Sequence, residues 1–201
     1  PLTVMKMLYH SLDLNFEEDD PRAEDARVLG DKMNHLDAIV ERIVNFARNA
    51  EPQMAQVNVH ELLEDLALLT RHKLQHLHIT LARNMAADLP KMRADATQLS
   101  QAFLNLILNA TEAMPDGGTL TISTEVNDGK LVVAFSDTGP GMTEEQRDRA
   151  FTGMLSTTKE KGAGLGLAIV VKVAEAHGGQ VEVETREGEG TTITLRLPVT
   201  A

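Results

Sequence analysis

Cysteine and tryptophan are absent from this chain, and its aromatic side chains amount to one tyrosine and five phenylalanines. Without cysteine there is no disulfide framework and no thiolate metal site. With aromatics at 3% of residues, aliphatic side chains must fill the core. No apolar run approaches the roughly 20 residues that span a bilayer, and no signal-peptide pattern opens the chain. No block of Lys and Arg stands out, and a net charge of -11 argues against general nucleic-acid binding. Two phosphate-binding signatures are also missing: there is no GxxxxGK[ST] loop and no G-x-G-x-x-G following a strand.

What is present is enough for one or two domains. The chain has 201 residues, 42% of them hydrophobic. Met5, Leu8 and Leu12 recur at helical spacing in a first helix. Ala26, Leu29, Met33, Leu36, Val40, Ile43 and Ala47 form an alternating 3,4 seam in a second. Ile39 and Phe46 widen that face beyond a bare pair, which predicts a dimeric four-helix bundle. The alternative is a hairpin packed on its own C-terminal domain. Glu51-Pro52 ends this region, so residues 1–52 read as a dimerisation hairpin and 53–201 as a second domain.

The second domain alternates helix and strand signals. Asn58 with Glu61, and Asp95 with Gln98, are capping pairs that open helices to about His72 and Met114. A short strand is expected at 78–81. Strands at 119–125 and 131–136 are joined by the hairpin signal Asn127-Asp128-Gly129. A helix from about Gly164 to His177 closes at Gly178-Gly179, and strands at 180–185 and 191–197 follow. Residues 138–163 hold little pattern beyond a helical stretch from Thr143 and read as a lid. The class is α+β: helices on one face of a largely antiparallel sheet.

Three motifs carry chemistry. Asn105, Asn109 and Glu112 share one helix face, and amide oxygens there can coordinate Mg²⁺; a solvated helix face is the plainer reading. Asp137 ends an apolar strand before Gly139 and Gly141, where a carboxylate can accept a hydrogen bond from an exocyclic amine; an Asx turn is the plainer reading. Gly162, Gly164 and Gly166 open a helix, where free N–H groups favour phosphate, with Lys159 upstream; the alternative is a glycine hinge. Read together, the three describe one nucleotide site.

In that order and spacing they resemble the ATP site shared by sensor histidine kinases, gyrase, Hsp90 and MutL. The chain is similar to the dimerisation-plus-ATPase core of a bacterial sensor histidine kinase. Asn105-Leu-Ile-Leu-Asn109-Ala resembles that family's N box, Asp137-Thr-Gly-Pro-Gly141 its G1 box, Gly162 to Gly166 with Ala176-His-Gly-Gly179 its G2 box, and Gly190-Thr191-Thr192 its last motif. The resemblance implies ATP and Mg²⁺ as ligands, with Asn109 on the metal and Asn105 beside it in catalysis. It implies Asp137 on adenine, and Gly139, Gly141, Lys159, Gly162, Gly164, Gly166, Leu167 and Thr192 around the nucleotide. It implies phosphoryl transfer to a histidine, then to a response-regulator aspartate; a homodimer; a cytoplasmic location with any membrane anchor in a longer parent; and no nucleic-acid or membrane contact from this stretch. A non-kinase ATPase module or a nucleotide-binding scaffold is the alternative.

Two departures from the family pattern carry expectations of their own. Phe151-Thr-Gly-Met-Leu155 replaces the Phe-x-Pro-Phe that precedes the family's Thr-Lys pair. The chain also opens at Pro1-Leu2-Thr3, directly after the place where the family's phosphoacceptor histidine falls, so it is expected not to phosphorylate itself. His10 is expected to be a bundle or surface histidine, and His177 a cap or dipole partner at a helix end.

Overall fold

A computed structural model describes residues 9, 22, 24, 26, 28–30, 32, 33, 52–152 and 164–199. The chain divides into two compact units, Pro1–Asn49 and Ala50–Ala201. Lys159, Gly162, His10 and lid residues 153–163 lie outside the described residues.

In the first unit the described residues are helical. The Tyr9 hydroxyl donates to the Ala26 carbonyl, and its ring lies against Gly30, so two helical stretches meet there. Ala26 and Met33 are buried, while Leu29, between them in the expected seam, is 53% exposed.

The second unit runs β1 (Ala55–Val57), α1 (Val59–His76), β2 (Ile79–Met85), β3 (Met92–Ala94), α2 (Ala96–Ala113), β4 (Gly118–Asn127), β5 (Lys130–Asp137), α3 (Glu144–Thr152), α4 (Gly164–Ala176), β6 (Gln180–Arg186) and β7 (Gly190–Pro198). A five-stranded sheet has the order β2-β4-β5-β7-β6. β2 pairs parallel with β4, and every other pairing in it is antiparallel. β1 and β3 form a separate antiparallel pair at residues where no strand was expected.

The helix starts follow their caps. Asn58 accepts from the His60 N–H, and its amide donates to Glu61; α1 then runs a turn beyond the expected end. Asp95 Oδ1 accepts from Thr97 and Gln98 N–H, satisfying donors that a helix start leaves free. Burial works to raise the Asp95 pKa, but the backbone N–H groups of Gln53, Gln98 and Thr97 outweigh it and hold the carboxyl below its ordinary value. Thr143 and Gln146 cap α3 reciprocally. Asp128 and Gly129 both take positive φ, as a two-residue hairpin turn requires.

Cross-strand register sorts the sheet into two unlike faces. Leu120, Ile122 and Thr124 face the same way as Phe135, Val133 and their β7 partners Ile193 and Leu195. Helices cover this face: Phe103 of α2 meets Phe135 with ring centroids 5.6 Å apart. The opposite face carries Thr121, Ser123, Ser136, Thr192 and Thr194 and is only partly buried. Among the described residues, no helix is long and apolar enough to cross a membrane. Phe103 is fully buried. Phe103→Ala is expected to cost about 3–5 kcal/mol, read as a lowered urea midpoint with an unchanged slope.

Candidate nucleotide site

Asp137 is the last residue of β5, and its side chain lies on the helix-covered face. The Gly139 N–H (2.9 Å) and the Thr191 N–H (3.3 Å) both donate to Oδ1. Oδ2 receives neither bond. Burial pushes the carboxyl pKa up, and the two backbone donors offset only part of that shift. The result is a half-buried carboxylate with one oxygen fixed and one open, an arrangement suited to a neutral N–H donor such as a purine amine.

The loop after Asp137 is held on two sides. Gly139 packs against the Ala113 carbonyl at the end of α2. Gly141 has φ +66°, and a Cβ there would collide with the Arg186 carbonyl. Gly188 N–H donates to the Pro140 carbonyl at 2.7 Å, and Met142 N–H to Thr185 Oγ1 at 2.8 Å. The turn between β6 and β7 therefore clamps the segment 137–142.

The amide stripe of α2 meets the start of α4. Gly166 sits so close to Asn109 that a Cβ would lie 2.8 Å from Oδ1 and 3.2 Å from Nδ2. One turn earlier on the same face, Asn105 is buried, and its Nδ2 has no hydrogen-bond partner among the described residues. An unsatisfied buried amide one turn from Asn109 is a feature that an acceptor such as an anionic oxygen would complete. Among the described residues no group of three His, Asp or Glu forms a metal cage. The donors present are amide oxygens, which fit a hard ion shared with a bound phosphate better than a stand-alone metal centre.

Asn105, Asn109 and Gly166 are thus brought together, and Asp137, Gly139 and Gly141 form the other group. Gly164 begins α4, and Leu167 is buried on it. Thr192 stands apart: its hydroxyl meets Ser136 Oγ at 2.8 Å on the opposite face of the sheet. Thr191, not Thr192, is the residue paired with Asp137 across the strands. The signal was available in the alternation of β7, because Thr191 shares parity with the buried Leu195 and Leu197. His177 also exceeds its expected role. Its Nδ1 bonds the Val173 carbonyl at 2.8 Å, as a helix-end partner would, but its Nε2 accepts from the Asp95 N–H at 2.9 Å.

Residues 94–201, just over half of the chain, match the family model for histidine kinase-, DNA gyrase B- and HSP90-like ATPases. Adaptive-response sensory kinase SasA of Gloeothece citriformis is 28% identical over 173 residues, covering 81% of this chain and 44% of that protein. Full-length ShkA in complex with AMPPNP superposes with a TM-score of 0.75 at 28% identity, over 100% of this chain and 46% of that one. Histidine kinase ThkA in complex with response regulator protein TrrA shares the fold, with a TM-score of 0.76 at 23% identity, over 100% of this chain and 58% of that one. The chain spans less than half the length of the SasA and ShkA chains that it matches. With the helix-backed sheet, the Asp137 loop and the Asn109–Gly166 contact in place, the chain belongs to the histidine kinase-, DNA gyrase B- and HSP90-like ATPases, as the catalytic domain of a sensor histidine kinase.

Proposed function

We propose that this chain binds Mg²⁺–ATP between α2, the Asp137 loop and the start of α4, and that it serves as the nucleotide-binding half of a protein histidine kinase. The observation that carries the reading is the Asp137 carboxylate, tied through Oδ1 and open at Oδ2. In this reading Oδ2 accepts from the adenine amine, Thr191 lies beside it, and Gly139 and Gly141 keep the backbone close to the base. Gly164, Gly166 and Leu167 carry the phosphates at the α4 start, where backbone N–H groups favour anions. Lys159 and Gly162 extend that cradle in the proposal.

Asn109, with Asn105 beside it, would hold Mg²⁺ jointly with the phosphates. When bound, the ion neutralises charge on the terminal phosphate. The γ-phosphoryl passes to a histidine imidazole: an N–P bond forms as the O–P bond to ADP breaks. The chain's own residues contribute position and electrostatics. Asn105 is an amide and cannot take a proton from water, which favours transfer over hydrolysis.

A response-regulator aspartate is the proposed final acceptor, the kind of partner that ThkA holds in its complex. Homodimerisation through the hairpin is proposed from the apolar seam, of which Leu29 stands exposed in the single chain.

Calorimetric titration of Mg²⁺–ADP tests the site. Asp137→Asn keeps an acceptor for Gly139 and Thr191 but can turn an N–H donor toward the adenine amine. Affinity is expected to fall by about tenfold or more, given what hydrogen bonds to charged groups contribute. Stability moves the other way. A folded pKa raised above the unfolded value adds stability that is complete below the unfolded pKa and is lost as pH rises through the folded one. Asp137→Asn should remove that pH dependence and melt no lower than the parent at neutral pH. Gly166→Ala is expected to displace the Asn109 amide and weaken Mg²⁺-dependent binding more than Mg²⁺-free binding. Unchanged affinity in both variants would reject this site.

A further inference from the structure

Asp95 is tied in three directions, and only one of them is needed to cap a helix. Oδ1 receives the Thr97 and Gln98 N–H groups and so starts α2. Oδ2 receives the Gln53 N–H at 2.8 Å, from the segment through which the chain enters this unit. The Asp95 N–H donates to Nε2 of His177, just past the end of α4. A backbone N–H can only donate, so Nε2 offers its lone pair; the ring proton then sits on Nδ1 and goes to the Val173 carbonyl. Asp95 and His177 are both buried.

The same two helices meet again at their other ends, where Gly166 of α4 stands against Asn109 of α2. The helices are therefore antiparallel and joined at both ends: Asp95 to His177, and Asn109 to Gly166. Asn105 and Asn109 lie about 15 and 21 Å along α2 from Asp95, at about 1.5 Å per residue. Both helices run unbroken between the two joints, which ties the seating of Asp95 to the spacing at Asn109. The site as proposed above rests on that spacing.

We propose that Asp95 and His177 are positioning residues that couple the entering segment at Gln53 to the two helices that hold nucleotide. Displacing the Gln53 N–H frees one carboxylate oxygen, loosens the Asp95–His177 end of the helix pair and changes how Gly166 meets Asn109. Coupling between sites is reciprocal, so bound nucleotide should in turn protect the tether. This rests on the proposed function only for the nucleotide arm of the test.

Asp95→Asn separates tether from cap. Asn is as good an N-cap as Asp, but it has one acceptor oxygen where Asp has two. Gln53→Pro removes the donor alone. The Met54 N–H bonds the Pro52 carbonyl, and φ at Gln53 is not positive, so the turn is an inverse γ-turn whose φ proline can adopt. At the other joint, His177→Gln keeps an acceptor near Nε2, while His177→Asn loses it.

Amide hydrogen exchange is measured on the whole chain, free and with Mg²⁺–ADP. In free Asp95→Asn, the Gln53 amide should exchange roughly tenfold faster or more. In Asp95→Asn, Gln53→Pro and His177→Asn, the Ile169 and Val170 amides in α4 should also speed up. His177→Gln should stay near the parent. ADP affinity should drop about fivefold in the same three variants. If Asp95→Asn frees Gln53 while α4 exchange and ADP affinity remain those of the parent, the coupling is overturned and Asp95 is a local cap. If Asp95→Asn loses helix content, Gln53→Pro decides, because it touches no capping group. If the parent binds no ADP, the proposed function falls, while the exchange of α4 still decides the coupling.

Discussion

Ionised carboxylates are costly to bury, and a half-buried one stays in place only where fixed dipoles share its charge. Asp137 is such a group. Its two backbone donors come from different parts of the chain: Gly139 two residues on, and Thr191 across the sheet. The second exists because β5 and β7 run antiparallel with Asp137 opposite Thr191. A slip of one residue would put Thr192 there and turn its neighbours to the wrong face. Register, loop conformation and the open oxygen are therefore one constraint. The close packing of Gly139 on α2 and of Gly141 on the β6–β7 turn follows from it.

The second organising relation is between α2 and α4. Hydrophobic burial holds them on the sheet: Ala102, Phe103, Leu106 and Ala110 of α2, and Ile169, Val170, Val173 and Ala174 of α4, are all buried. Burial is not directional, however, and by itself names no partner for either helix end. Hydrogen bonding at one end and close glycine packing at the other set their alignment. Small residues matter as much as large ones here, since a side chain at Gly166 would occupy the space of the Asn109 amide.

Features fixed by local chemistry were legible in the sequence. The caps at Asn58 and Asp95, the turn at Asp128–Gly129 and the alternation of β4 each depend on a few neighbouring residues. The three motifs were legible because their spacing is characteristic in combination. What escaped depends on distant pairing. β1 and β3 are three residues each, too short for any period to emerge, and each is a strand only because the other pairs with it. The choice between Thr191 and Thr192 required the parity of β7 to be set against Leu195 and Leu197. His177 could be placed at a helix end from sequence, but its second bond reaches residue 95, and nothing near it in the chain announces that.

The last strand has a consequence for how the protein is made. β7 supplies Thr191 to Asp137 and, with the turn before it, closes the loop that contains Gly141. On the ribosome it emerges after every other described part of the site. Until then the Asp137 loop lacks the Thr191 N–H and the Gly190 carbonyl beside Gly141. In the proposed site, a nascent chain thus carries an unfinished pocket around Asp137 until β7 joins the sheet.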